Sequence, residues 1–279
     1  MTDRYIAGVP CWIDLTPPDV DAAMSFYGGL FGWEFEERTP PGAPGRYAYA
    51  RIDGETVGAI GSDQAESSAW NSYIWVDDAD AAIERVQAAG GTVITQPADL
   101  GRDGGVGRVA MVSDPQGARL GLWQPRENRG AERVNAHGSV NFNDLLTPDV
   151  VGAEAFYGAV FGWESIPVGD GRMWALPAYG DFLEERTPGN RERQAEYGAP
   201  ARFEEAVASL SAIPQDAADA SARWKVTFAV DDADEVVARA VELGAEVIEA
   251  PVDLPWVRAA VIRDPQGAVF TASQFTGAP

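Results

Sequence analysis

Along VPCWIDLT (residues 9–16) Cys11, Ile13 and Leu15 fall on one face and Trp12, Asp14 and Thr16 on the other, which predicts a strand. The period then changes. Val20, Ala23, Met24 and Tyr27 stand at i, i+3, i+4 and i+7, the stripe of a helix over about 20–30 with Asp19 placed to cap it. FGWEF opens the next strand, RYAYARIDGETVGAIG reads as a hairpin turning at Asp53-Gly54, and NSYIWVDD (71–78) as another strand. A second helix over about 79–89 stops at Gly90-Gly91. The strand TVIT and the hairpin RVAMVSDPQGARLGLWQ, turning at DPQG (114–117), complete the unit.

The whole succession then recurs. DVDAAMSFYGGLFGWE (19–34) returns as DVVGAEAFYGAVFGWE (149–164), and VNFNDLL, FGWES, RMWALPAYGDF, WKVTFAVDD, EVIE and VRAAVIRDPQGAVFTASQ repeat the remaining elements in order. Internal repeats set the architecture before any other reading. Each copy reads βαβββ–βαβββ, an α+β class, and the chain divides into residues 1–124, a charged linker 125–138 without apolar periodicity, and residues 139–279. The copies differ in one place: 15 residues separate Glu55 from Asn71, whereas 43 separate Asp181 from Lys225. The surplus is placed at about 184–222, as a polar stretch followed by a short helix, ARFEEAVASL, with Phe203, Val207 and Leu210 on one stripe. Insertions of this length serve as lids, binding loops or partner contacts, or are inert surface.

Charge narrows the partners. A formal charge of −22, with Lys225 the only lysine, argues against a phosphate backbone, which needs clustered cations. No run of about 18 apolar residues predicts a bilayer span, and MTDRYIAGVPCW does not read as a secretory signal. The single Cys11 forms no intrachain disulfide and fits a reducing cytoplasm. A small-molecule ligand, with neither nucleic acid nor membrane, is the expected partner, and a homodimer stays open.

D-x-x-x-A-x-x-F-Y-x-x-x-F-G-W, V-D-D-A-D after a strand and the D-P-Q-G hairpin, in that order and twice, resemble the vicinal oxygen chelate superfamily. This is the group of glyoxalases, bleomycin-resistance proteins and extradiol dioxygenases, and the pattern is similar to tandem actinobacterial glyoxalase-like proteins, some associated with antibiotic pathways. The resemblance implies two domains of paired βαβββ modules, each a curled mixed sheet round a cavity with helices outside. It also implies metal-ligand positions. These fall on Trp12, Asn71 and Gly121 in copy one and on Phe142, Lys225 and Thr271 in copy two, none a good ligand for a divalent cation. The only histidine, His137, lies in the linker out of register. A carboxylate-only site has no evident inward-facing cluster, so the expectation is no metal and no cofactor.

On such a fold alternation turns Trp12, Asp14, Asn71, Tyr73 and Trp75 inward, matched by Phe142, Asp144, Lys225 and Thr227. Asp14 and Asp144 are the candidate catalytic pair: desolvation in an apolar cup raises a carboxyl pKa toward the range useful for proton transfer. Alternatively each accepts bonds from backbone N–H groups or from the recurring Arg46 and Arg172. Lys225 can pair with an acid, bind an anion or act as an amine nucleophile, and Tyr73 is its polar companion in catalysis. Trp12, Asn71, Trp75, Phe142, Trp174, Thr227 and Trp256, with Arg46 and Arg172, are the candidate substrate-binding residues. The expectation is a metal-independent enzyme acting by acid–base chemistry on a hydrophobic, aromatic or polyketide-like molecule. The alternative is a non-catalytic, drug-sequestering binder.

Overall fold

The structure, a computed structural model, describes residues 4–277 apart from 41, 43, 63–66, 170 and 215–218. Copy one runs β1 (Pro10–Thr16), α1 (Val20–Phe31), β2 (Glu34–Glu37), β3 (Arg46–Ile52), β4 (Glu55–Ser62), β5 (Ala69–Trp75), α2 (Ala79–Ala88), β6 (Thr92–Leu100), β7 (Gly107–Ser113) and β8 (Arg119–Pro125). Copy two runs β9 (Ser139–Thr147), α3 (Val150–Phe161), β10 (Glu164–Val168), β11 (Gly171–Ala175), α4 (Pro177–Arg186), α5 (Asn190–Glu196) and β12 (Ala206–Ala212). It closes with β13 (Arg223–Ala229), α6 (Ala233–Glu242), β14 (Glu246–Leu254), β15 (Val257–Arg263) and β16 (Val269–Phe275). Each copy forms one eight-stranded mixed sheet, in the orders β2-β3-β4-β1-β5-β8-β7-β6 and β10-β11-β12-β9-β13-β16-β15-β14. The two modules of a copy meet at the antiparallel pairs β1–β5 and β9–β13.

The repeated motifs prove to be caps, turns and clamps. Asp19 accepts from Ala22 N–H, Asp78 from Ala81, Asp149 from Gly152 and Asp232 from Glu235, so each helix that repeats between the copies begins on an aspartate. Asp53 and Gly54 both adopt positive φ, the conformation a two-residue hairpin requires. The helix-facing side of each sheet is apolar as alternation predicts, with Ile13, Leu15, Ile74, Val226 and Phe228 buried.

Those apolar faces oppose each other. The core is shared: α1 packs with α6 and α2 with α3, Phe31 lies 5.1 Å from Phe228, and Trp70 lies 5.2 Å from Phe228. The bonds that cross are reciprocal. Tyr27 of α1 donates to Asp264 in the second DPQG turn (3.0 Å), and Tyr157 of α3 donates to Asp114 in the first (3.1 Å). Within its own copy each of these tyrosines accepts from an indole, Tyr27 from Trp70 and Tyr157 from Trp224. Trp33 donates to the carbonyl of Gly138 and Trp163 to that of Gly8, each at 2.8 Å. Gln266 bonds Asp19, and Gln116 bonds Asp149. Even Asn143, an anomalous polar residue on an otherwise apolar face, accepts from Ser72 across the interface at 2.6 Å.

Two expectations fail in the second copy. ARFEEAVASL is not a helix; its latter half is β12, which pairs in parallel with β9 so that Ser209 opposes Asp144, just as Ala59 of β4 opposes Asp14. The helical spacing of Val207 and Leu210 misled, because AVASLSA carries small residues on both faces and the exposed edge of β9 takes the strand. RMWALPAYGDF is likewise no hairpin, since Pro177 opens α4 in the first helical turn. Residues 176–205, carrying α4 and α5, therefore stand where copy one has a two-residue turn, rather than at 184–222, of which 215–218 lie outside the described residues.

Removing one crossing hydroxyl leaves a buried carboxylate oxygen and a tryptophan N–H without partners. Tyr27→Phe and Tyr157→Phe should each destabilise the fold by about 1–3 kcal/mol, read from urea unfolding. Burial also raises the Asp114 and Asp264 carboxyls above the ordinary range. A raised acid binds its proton more tightly folded than unfolded, so this contribution is fully present in acid. It falls as pH climbs from the ordinary value of about 4 through the native one. The double variant Asp114→Asn/Asp264→Asn should lose that part of the slope in unfolding experiments across the acidic range.

Candidate functional site

The concave side of the first sheet holds a cavity of about 710 Å³ whose floor is Trp12, Asp14, Tyr47, Tyr49, Tyr73 and Trp123. Strand register builds it. Asp14 lies opposite Asn71 on β5 and Ala59 on β4, and Ala59 lies opposite Tyr49 on β3, so one row of the sheet runs Tyr49–Ala59–Asp14–Asn71. The next row runs Trp12–Tyr73–Gly121.

Asp14, 7% exposed, is the hub. Its Oδ2 accepts from Tyr73 (2.9 Å) and Tyr47 (3.1 Å), and its Oδ1 from Asn71 Nδ2 (2.9 Å). Trp12 Nε1 donates to Tyr47 Oη at 3.1 Å, and Asn71 also reaches Thr16. Two phenols and an amide thus converge as donors on one carboxylate. Burial first, and the charge of Asp14 next, push the Tyr47 phenol well above its ordinary value, so it stays a donor. The chemistry available is a fixed carboxyl group facing an aromatic chamber, with phenol donors beside it.

The rim is mixed. Arg38 lies over the Tyr49 ring at 4.8 Å, and Asn128 from the linker donates to Tyr49 Oη at 3.1 Å. Pro40, Pro44, Leu100 and Val106 supply apolar edge. Arg46 reaches the rim but is tied to Glu37 at 2.8 Å and to Asp21, not to Asp14.

The four candidate catalytic residues do not meet. Asp14 and Tyr73 share the first cup, whereas Asp144 and Lys225 sit side by side on β9 and β13 of the second sheet. Asp144 accepts from Thr227 Oγ1 at 2.5 Å, and Lys225, half-buried, makes no ion pair among the described residues. The second cup is partly filled by Ile166, Met173, Phe142 and Phe203, the last supplied by the added segment, 6.2 Å from Phe142.

Several expected binding residues lie elsewhere. Trp174 is wholly buried on the helix-facing side against Tyr157 and Trp163, because Met173 takes the cup-facing register. Arg172 shares that outer side, exposed and bound to Glu154 and Ser165, and does not touch Asp144. Trp75 lies beyond the cavity, covered by Tyr5 and by the Arg129 guanidinium 5.2 Å from its ring. Trp256 occupies the β14–β15 turn at φ +67°, rare for a bulky side chain, beside Gly169 in the β10–β11 turn. Sequence reasoning missed Tyr47, Tyr49 and Trp123. The alternation of RYAYARI and the position of Trp123 two residues after Gly121 carried that signal. Nothing in the sequence marks Asn128.

Two curled sheets of paired βαβββ modules, each with helices on its convex face and a cup opposite, define the vicinal oxygen chelate fold. Residues 11–122 match the Glyoxalase/Bleomycin resistance protein/Dioxygenase superfamily, and residues 139–273 a Glyoxalase-like domain. CFP32 of Mycobacterium tuberculosis, provisionally named a glyoxylase, is 37% identical over 96% of this chain and 95% of its own. The anthracycline biosynthesis protein DauV of Streptomyces sp. (strain C5) is 35% identical over 96% of this chain and 94% of its own. Among solved structures, the 2,3-dioxygenase LapB from Pseudomonas sp. KL28 aligns with a TM-score of 0.62 at 15% identity, over 99% of this chain and 95% of that one. The Mn(II)-bound glyoxalase from Novosphingobium aromaticivorans gives 0.60 at 15% identity, over 98% and 84%. The chain belongs to the glyoxalase, bleomycin resistance protein and dioxygenase superfamily.

A divalent cation, implied by metal-binding members, does not fit the residues here. Trp12 and Gly121 offer no side-chain lone pair, and Asn71, whose amide nitrogen donates to Asp14 and Thr16, brings only one neutral amide oxygen. The Tyr73 ring lies where a side chain on Gly121 would have to pass. No group of three or more His, Cys, Asp or Glu among the described residues is placed to hold a metal. His137 instead accepts from Asp231 N–H. No described helix is long and apolar enough to cross a membrane.

Gly121→Ala should therefore displace Tyr73 from Asp14. Overpacking at this contact is expected to cost about 1–3 kcal/mol. Denaturant unfolding would show it, and an unchanged midpoint would mean that the two residues do not touch.

Proposed function

We propose that the first cup binds a hydrophobic, aromatic or polyketide-like small molecule and transforms it by proton transfer, without a metal and in the cytoplasm. The observation that carries this reading is Asp14, buried beneath an aromatic chamber of about 710 Å³ and held by Tyr47, Tyr73 and Asn71. Its carboxylate is the base: it takes a proton from an acidic C–H of the ligand and returns it at a second position, an isomerisation that balances without a co-reactant. Once Asp14 carries the proton, the single hydroxyl hydrogen that Tyr47 or Tyr73 gave to it is released to turn toward the oxygen on which negative charge collects. Trp12 and Trp123 supply flat surface for an aromatic body. The naming of DauV as an anthracycline biosynthesis protein agrees with a polycyclic ligand. Asp144 and Lys225 stand as a second acid and cation in the other cup, narrowed by Phe203.

A carrier reading also has an observation behind it. Tyr47, Tyr73 and Asn71 already bond both oxygens of Asp14, so the carboxylate is used by the cup's own architecture.

Incubation with an anthracycline aglycone, followed by chromatography and mass spectrometry, separates the two. Conversion to a product of equal mass is expected, slowed at least about 100-fold in Asp14→Asn and unchanged in Asp144→Asn. Full turnover by Asp14→Asn would falsify the base assignment. Quenched tryptophan fluorescence with unaltered ligand recovered would establish the carrier. Elemental analysis of the purified protein should find substoichiometric transition metal, and activity should survive chelation.

A further inference from the structure

The hydrogen-bond donors on the floor of the first cup have identifiable acceptors. The Asn71 amide nitrogen donates to Asp14 and Thr16, and the Trp12 indole donates to Tyr47 Oη. Tyr47 and Tyr73 give their hydroxyl hydrogens to Asp14. The Trp123 indole donates to the backbone carbonyl of Asn128 at 3.0 Å. Tyr49 differs: its hydroxyl accepts from Asn128 Nδ2 at 3.1 Å and donates to no described residue.

The linker decides which way Asn128 faces. A side-chain amide presents its oxygen or its nitrogen according to what its neighbours need. Gly130 N–H lies 2.9 Å from Asn128 Oδ1 and requires an acceptor, so the amide nitrogen is the end that meets Tyr49. The Asn128 backbone is held as well, donating to the Val106 carbonyl and accepting from Trp123. Gly130 stands at φ +88°, where a side chain would run into the Cys11 carbonyl and the Tyr5 ring, so this stretch of linker has one shape. With an N–H aimed at Tyr49 Oη, the phenol hydrogen takes the side away from Asn128. Burial raises the Tyr49 phenol above its ordinary value, and the hydrogen stays on. Tyr49 is half-buried, lines the cup and packs edge-on to Trp12 at 5.3 Å. In the second sheet Met173 takes the same register place, opposite Ser209 as Tyr49 is opposite Ala59, and offers no donor.

We infer that Tyr49 donates to a carbonyl oxygen of the ligand, with Asn128 the residue that positions its hydrogen. The inference rests on the first cup being the ligand site, and it names what the ligand carries: a ketone or quinone oxygen at Tyr49, beside the C–H that Asp14 removes. Asp14 and Tyr49 share a row of the sheet with Ala59 between them, so at about 4.8 Å per strand their backbones stand about 10 Å apart. The small side chain of Ala59 leaves that gap to the carbonyl and its neighbouring carbon. Before the proton moves, Tyr47 and Tyr73 are engaged with Asp14, and Tyr49 is the phenol that polarises the carbonyl from the outset.

Titration calorimetry with 1-tetralone and tetralin, bicyclic probes that differ by one carbonyl, tests it. In Tyr49→Phe the ratio of their affinities should move about fivefold against the ketone, the contribution of one neutral hydrogen bond, while tetralin binds as before. Asn128→Asp keeps the side-chain shape and the acceptor for Gly130 but turns the group facing Tyr49 from donor to acceptor. It draws the phenol hydrogen away from the ligand, and should reproduce the Tyr49→Phe shift with Tyr49 intact. Support of the linker alone would weaken both probes together. The infrared stretch of tetralone labelled with carbon-13 at the carbonyl should lie lower on the wild type than on either variant. A ratio unchanged in Tyr49→Phe or in Asn128→Asp overturns the inference, as does a stretch common to all three proteins. Failure of the cup itself registers differently: neither probe would bind the wild type, and the reading of the site would fall along with the inference.

Discussion

The pair of hydrogen bonds from Tyr27 to Asp264 and from Tyr157 to Asp114 holds the rest of this molecule in place. Each joins a helix of one copy to a turn of the other in a region from which water is excluded. Each tyrosine also accepts from a tryptophan of its own sheet, so the hydroxyl is used as donor and acceptor at once. An unpaired hydroxyl or carboxylate there would cost more than the bond itself is worth. The interface therefore tolerates one arrangement of the two sheets, and that arrangement turns the apolar faces inward and both cups outward.

This constraint explains which parts of the sequence repeat. The sixteen-residue segment that appears twice supplies an N-cap at Asp19 or Asp149, a clamp tyrosine, and an indole that reaches the opposite copy at Gly138 or Gly8. DPQG supplies the carboxylate and amide that answer them. The motifs that identify the fold are therefore structural, and the cup-facing positions have diverged: Trp12 against Phe142, Asn71 against Lys225, Gly121 against Thr271. Fold and core were legible because period and capping are local signals. The site was legible where alternation alone decides it, as for Asp14, Trp12 and Tyr73. It was not legible where partners come from remote chain: neither the coupling of Asp14 to Tyr47 nor the entry of Asn128 leaves a local trace. Trp174 misled because a one-residue offset of β11 sends it to the opposite face of the sheet.

The copies also diverge in what crowds their concave faces. In the first, small residues keep the floor open: Ala59 beneath Tyr49, and Gly121 beneath the Tyr73 ring, where any side chain would collide. In the second, Ile166, Met173 and Phe203 occupy the equivalent space. Phe203 arrives on the same segment that lays α4 near Tyr5 and Arg4, so narrowing one concave face and covering the edge of the other are two results of a single elongated connection.

Because the tyrosine, indole and DPQG bonds that cross are each made twice with roles exchanged, half of this protein is self-complementary in them: two separate halves can satisfy those bonds as an isologous pair. In such an assembly one gene writes both active faces, and no change can be made to one alone. Fusion into a single polypeptide lifts that restriction. Phe203 can plug one side while its counterpart stays hollow, and asymmetry in chemistry becomes available to a molecule whose joint remains symmetric.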